Sequence, residues 1–162
     1  MFSGILNLRY SEESVKAMPE TRGGPLIAAL LRVPYQAVVA RVTRRLAEEF
    51  PGLRPAHLIV LQTLDHPPEG TRLTELAERA QITVQSMGEL VDALERHGYV
   101  HRVPDPADRR AKLICYTDSG WAAHERGGEI VLDVQAEWAG LIGPARFEEL
   151  VALLRELNRA LG

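Results

Sequence analysis

The chain has 162 residues, 46% of them hydrophobic and 25% charged, with a net charge of −3 and a single cysteine. That length allows one domain with a real core, and the composition excludes a disordered or fibrous chain. No apolar run reaches the ~18–20 residues of a bilayer-crossing helix, and Cys115 alone forms no internal disulfide.

The opening residues lack the basic start and long apolar stretch of a secretion signal, so the cytoplasm is the expected compartment, with no membrane role. Residues 1–24 mix charge, Ser, Gly and Pro without a sustained period and read as an N-terminal arm. Pro25 suits the first turn of a helix. Leu26, Leu30, Val33, Val38, Val42 and Leu46 then recur at helical spacing over 25–50. Pro34 lies inside this pattern and is expected to kink or split the helix.

Pro51-Gly52 marks a turn, and Pro55 to Leu64 reads as a second helix ended by the Pro-rich stretch 65–70. Thr74 is a candidate N-cap for a short third helix, and Thr83 caps a fourth that runs to His97 before Gly98. In that fourth helix Val84, Met87, Leu90, Val91 and Leu94 form one apolar face, opposite Gln85, Ser86, Glu89 and Ala93. A basic loop follows between two strand-like runs, the second being Leu113 to Thr117. Residues 102–112 hold Arg102, Arg109, Arg110 and Lys112, pinned by Pro104 and Pro106. Five cations against two carboxylates over 96–112 give +3 on a body carrying −6. Such a local patch suits phosphate contact whatever the sign of the whole.

Helix, glycine stop, strand, basic loop, strand is the order of a winged helix-turn-helix. The fold class expected is mainly α, with a β-hairpin wing in a lobe spanning 51–118. Residues 119–162 complete the chain as further helices, the first running from Trp121 toward Trp138 and broken over Gly140–Pro144. In the last, Phe147, Leu150, Leu154, Leu157 and Leu161 repeat at spacings of three and four, a stripe suited to association with another helix.

Leu76-Ala-Glu-Arg-Ala80, Val91 through Val100, Asp105 through Ile114 and Thr117-Asp-Ser-Gly120 together resemble the MarR family of bacterial regulators. The wing carries that family's acidic-x-Arg-x-x-x-aliphatic signature as Asp108, Arg110 and Ile114. The resemblance implies a homodimer built through its N- and C-terminal helices, which reads a palindromic double-stranded operator. It also implies repression relieved by a small aromatic or phenolic effector. The alternative is a winged-helix module that binds protein without reading DNA. No nucleophile–base pair, phosphate loop or zinc-ligand spacing argues for an enzyme or a cofactor.

The expected DNA contacts follow from this arrangement. Gln85 and Ser86 occupy the first turn of the recognition helix behind Thr83, where side chains meet base edges. Glu89 either accepts from cytosine N4 or forms a local ion pair. Gly88 either admits the DNA backbone or packs against another helix. Both positions depart from many relatives, which carry a hydroxyl and a basic residue there. At the wing tip, the family resemblance favours Asp108 paired with Arg110 as the anchor and Arg109 as the groove contact, with the converse open. Arg102 and Lys112 are expected on phosphates, and Arg72 and Thr74 on the backbone from the third helix. Cys115 reads as a small strand residue rather than a redox sensor, since reactivity needs a lowered pKa as well as access.

Overall fold

The computed structural model describes residues 27–108 and 110–161. The expected N-terminal arm lies outside them. Helix α1 (Ile27–Glu49) passes from a first unit ending at Ala37 into the compact unit that begins at Val38. It is followed by a 3₁₀ turn (Pro55–His57), α2 (Leu58–Thr63), strand β1 (Thr71–Arg72), α3 (Leu73–Arg79) and α4 (Val84–Arg96). Strands β2 (Val100–Pro104) and β3 (Lys112–Tyr116) precede the long α5 (Asp118–Ile142) and α6 (Pro144–Leu161).

Two expectations are corrected here. Pro34 does not split α1, which runs on through it. Pro34 and Leu30 are both exposed, so the carbonyl that loses its N–H partner still reaches water. Thr74 is not a cap: Arg72 holds the extended N-cap conformation and α3 already begins at Leu73. The break expected over Gly140–Pro144 is there: α5 ends at Ile142. The stop is Gly143, whose φ of 92° lies in the region that favours glycine.

The core of the compact unit forms where short helices meet the sheet. Leu58, Val60 and Leu61 of α2, Leu76 of α3, and Met87, Val91 and Leu94 of α4 are all buried. They pack with Ile114 of β3 and Ala123 and Ile130 of α5. Spacings of four and three place the α4 residues on one stripe, and each full burial contributes roughly 1.5–3 kcal/mol. The sheet is antiparallel with order β1-β3-β2, pairing Thr71 with Ile114 and Arg102 with Ile114 from the other side. It is the wing, in three strands.

Within the compact unit, α1 and α5 run antiparallel. Val42 and Leu46 pack over Gly127, 3.9 and 3.7 Å from where a Cβ would stand, which is ordinary contact distance. Three ion pairs flank this seam: Arg41–Glu137 and Arg45–Asp133 at 2.9 Å, and Glu49–Arg126 at 3.0 Å. Partly exposed pairs of this kind contribute little each and mainly fix the register. Helix α6 differs from the rest. None of its residues is buried, and Leu150, Leu153, Leu157 and Leu161 are all exposed.

Candidate nucleic-acid interface

Helix α4 is built to be read from outside. Thr83 has extended backbone, and its hydroxyl accepts the Ser86 N–H at 3.1 Å, the cap expected from sequence. The Thr83 hydroxyl in turn donates to Ser86 Oγ at 2.9 Å. Gln85, Ser86 and Glu89 are exposed, on the side away from Met87, Val91 and Leu94. The turn before α4 contains Gln81 with φ 54°, and the Ile82 N–H bonds back to Ala77 O at 3.0 Å. These contacts fix where α4 starts relative to α3.

Gly88 belongs to the packing face rather than the outer one. A Cβ there would meet only the Leu73 side chain, at an ordinary 3.7 Å. Alanine adds helix propensity worth about 1 kcal/mol. Gly88→Ala is therefore expected to raise the melting temperature by about 2–4 °C with DNA affinity unchanged. A variant that melted higher but bound DNA worse would mean that the DNA backbone approaches the helix at this glycine.

The wing is anchored by a residue outside the predicted pair. Asp105 is buried, and its carboxylate accepts from Arg72 Nε at 2.7 Å, with Arg72 Nη2 at 2.5 Å. It also accepts the Ala107 N–H at 2.8 Å, while the Asp105 N–H donates to Ala111 O at 3.1 Å. The Ala107 N–H and the Arg72 guanidinium hold its carboxyl below the usual carboxylate range. Asp108 does not pair with the Arg110 guanidinium. It accepts the Arg110 backbone N–H at 3.0 Å, which shapes the tip and leaves the Arg110 side chain exposed. Arg109 lies outside the described residues.

Arg102 is also committed inside the chain. Its guanidinium forks onto two carboxylates of α4, donating to Asp92 at 2.6 Å and to Glu95. The Gly98 turn folds β2 back beside the end of α4, and this brings the three together. Lys112 and Arg110 are exposed and have no carboxylate partner among the described residues. The cations available to a polyanion are thus at the tip and the base of β3, while Arg72 and Arg102 hold the frame. Thr74 is exposed in the first turn of α3.

Other polar groups serve the frame. Asp65 accepts from the Thr71 hydroxyl at 2.8 Å and from Arg79 at 2.9 Å, tying the loop after α2 to α3. His124 stacks on Trp121 with ring centroids 5.0 Å apart, and His66 meets both edge-on. The Nδ1 of His124 lies 2.9 Å from Leu61 O; a carbonyl only accepts, so that nitrogen carries the proton. Nothing in the sequence spacing signals this grouping. Among the described residues no cluster of His, Cys, Asp or Glu could hold a metal. Cys115 is half-buried, and its Sγ occupies the space a Cβ on Gly70 would need. Burial pushes its thiol pKa up, the direction opposite to an activated cysteine.

Comparison with known proteins agrees with this geometry. The model of the MarR family matches residues 52–111, the stretch from the turn after α1 to the wing. The transcriptional activatory protein BadR of Rhodopseudomonas palustris is 36% identical over 76 residues, covering 46% of this chain and 43% of BadR. The transcriptional regulator HosA of Escherichia coli O111:H- is 27% identical, covering 73% of this chain and 87% of HosA. Among solved structures, the transcriptional repressor CouR bound to a 23-mer DNA duplex superposes with a TM-score of 0.64. It is 27% identical, covering 82% of this chain and 92% of CouR.

Proposed function

We propose that this chain is a DNA-binding regulator of the MarR winged-helix type, a reading supported by its likeness to that family, and that it acts as a homodimer on a palindromic operator. In this reading α4 enters the major groove, with Gln85 and Ser86 against base edges. Arg109 and Arg110 reach the flanking minor groove, and Lys112 and Thr74 rest on phosphates. The observation that carries the proposal is an exposed polar face of α4 set beside a braced wing whose tip cation, Arg110, is unpaired among the described residues.

The dimer is supported by the stripe on α6, where leucines at helical spacing stay exposed in the single chain. Two-fold symmetry then calls for half-sites one turn of B-DNA apart, about 34–36 Å. Repression is the favoured outcome, since CouR is described as a repressor and aligns over most of both chains. BadR, described as activatory, aligns over less than half of its own length. A small aromatic or phenolic effector would act by preferring a dimer with a different spacing between its two α4 helices.

The test is a salt series on a palindromic operator with the variant Arg109→Ala, Arg110→Ala. Affinity is expected to fall about 10- to 100-fold, and the dependence of log affinity on log salt to flatten by about 1–2. A folded dimer with wild-type affinity and slope would remove the wing from the interface.

A further inference from the structure

We propose that Glu89 is a specificity-determining residue that reads a cytosine in each half-site. The inference rests on α4 being the groove-reading helix and goes on to name what one of its side chains recognises. The three carboxylates of α4 are not equivalent. Asp92 and Glu95 are both held by Arg102. Glu89, one turn nearer the N-terminus, is exposed and has no cation among the described residues. Its polar contact there is a long one, with Gln85 Nε2 donating to Glu89 Oε1 at 3.4 Å. Positions 85, 89, 92 and 96 follow one another along one side of the helix, so Glu89 continues the row begun by Gln85.

A bare carboxylate next to DNA phosphates is unfavourable unless it gains hydrogen bonds on docking. It is an acceptor only, so it needs N–H donors. The major groove offers two, the amino groups of cytosine and adenine; guanine and thymine present acceptors and a methyl group. Adenine N6 lies beside N7, whose lone pair repels a carboxylate, whereas cytosine N4 lies beside a C–H edge. Cytosine is the base that satisfies Glu89 without a penalty. Asp92 and Glu95 already accept hydrogen bonds from Arg102, so no base contact is required of them. Glu89 thereby contributes discrimination at the expense of general affinity for DNA.

The experiment is selection of the full-length protein on randomised duplex DNA, run for the wild type, Glu89→Ala and Glu89→Gln, with far-ultraviolet dichroism confirming the fold. The wild type is expected to enrich a C·G pair at one symmetric position per half-site. Changing that pair to T·A should weaken binding about tenfold. Glu89→Ala should relax that position alone and bind unrelated DNA several-fold more tightly; Glu89→Gln should move the preference toward adenine. Identical motifs for wild type and Glu89→Ala would overturn the assignment and leave the DNA-binding reading intact. A wild type that enriches no motif would overturn that reading and the assignment with it.

Discussion

The double variant Leu150→Glu, Leu157→Glu is expected to sediment as a monomer and to bind a palindromic operator about 100-fold more weakly than the wild type. The two leucines are one heptad apart on α6, exposed to 42% and 39% in the single chain. With Leu153 and Leu161 they leave an apolar strip that a folded chain does not normally present to water. Covering each leucine contributes on the order of 1.5–3 kcal/mol, while burying a carboxylate there costs more than that gain. Affinity falls because two linked half-site contacts become independent ones, and linkage is typically worth 10²–10⁴. Sedimentation, with dichroism to show that the helices persist, checks the first part, and mobility shift the second. A stable dimer would mean that α6 is not the seam.

Gly120→Ala is expected to be the most damaging alanine substitution among the described glycines. Gly120 sits in the first turn of α5, and a Cβ there would stand 1.8 Å from the Tyr99 carbonyl oxygen. That oxygen already accepts the Thr117 N–H at 3.1 Å, and the Thr117 hydroxyl caps α5 by accepting the Gly120 N–H at 3.0 Å. The obstacle is backbone, so no rotamer change relieves it. The start of α5 must move off β2, and this breaks the knot that joins wing to long helix. The gain in helix propensity, about 1 kcal/mol, is outweighed. A net loss of about 3 kcal/mol corresponds to a fall of roughly 10 °C in melting temperature for a chain of this size. An unchanged thermal melt would refute the close approach. Gly88→Ala, with the opposite sign, provides the internal contrast.

What the sequence discloses here is what depends on near neighbours. Thr83 as a cap, Met87, Val91 and Leu94 as the buried stripe of α4, the Gly98 stop and the α6 leucines follow from near-neighbour spacing, and the structure has them, while Val84, expected on the same stripe, is exposed. Propensity misleads where its penalty is absorbed by the surroundings. Exposed Pro34 weakens α1 without ending it, because water satisfies the backbone around it. Least legible are partnerships of charge. Arg72 with Asp105, 33 positions apart, and Arg102 with Asp92 and Glu95 depend on how the strands return over the helices. Counted along the sequence, Arg72 and Arg102 look like phosphate ligands. Their carboxylate partners make them struts.

The Arg102 fork makes the recognition helix and the wing one printing block with a fixed relief. Tilting one against the other would strip a guanidinium from two carboxylates, so the angle at which a lobe meets the duplex is set when the chain folds. In the proposed dimer the free variable is then the gap between two such blocks. On that proposal base preference resides in the relief and responsiveness in the gap, so the two can drift apart in evolution. On these proposals, a change at Glu89 is expected to alter base preference and leave the dimer gap as it was.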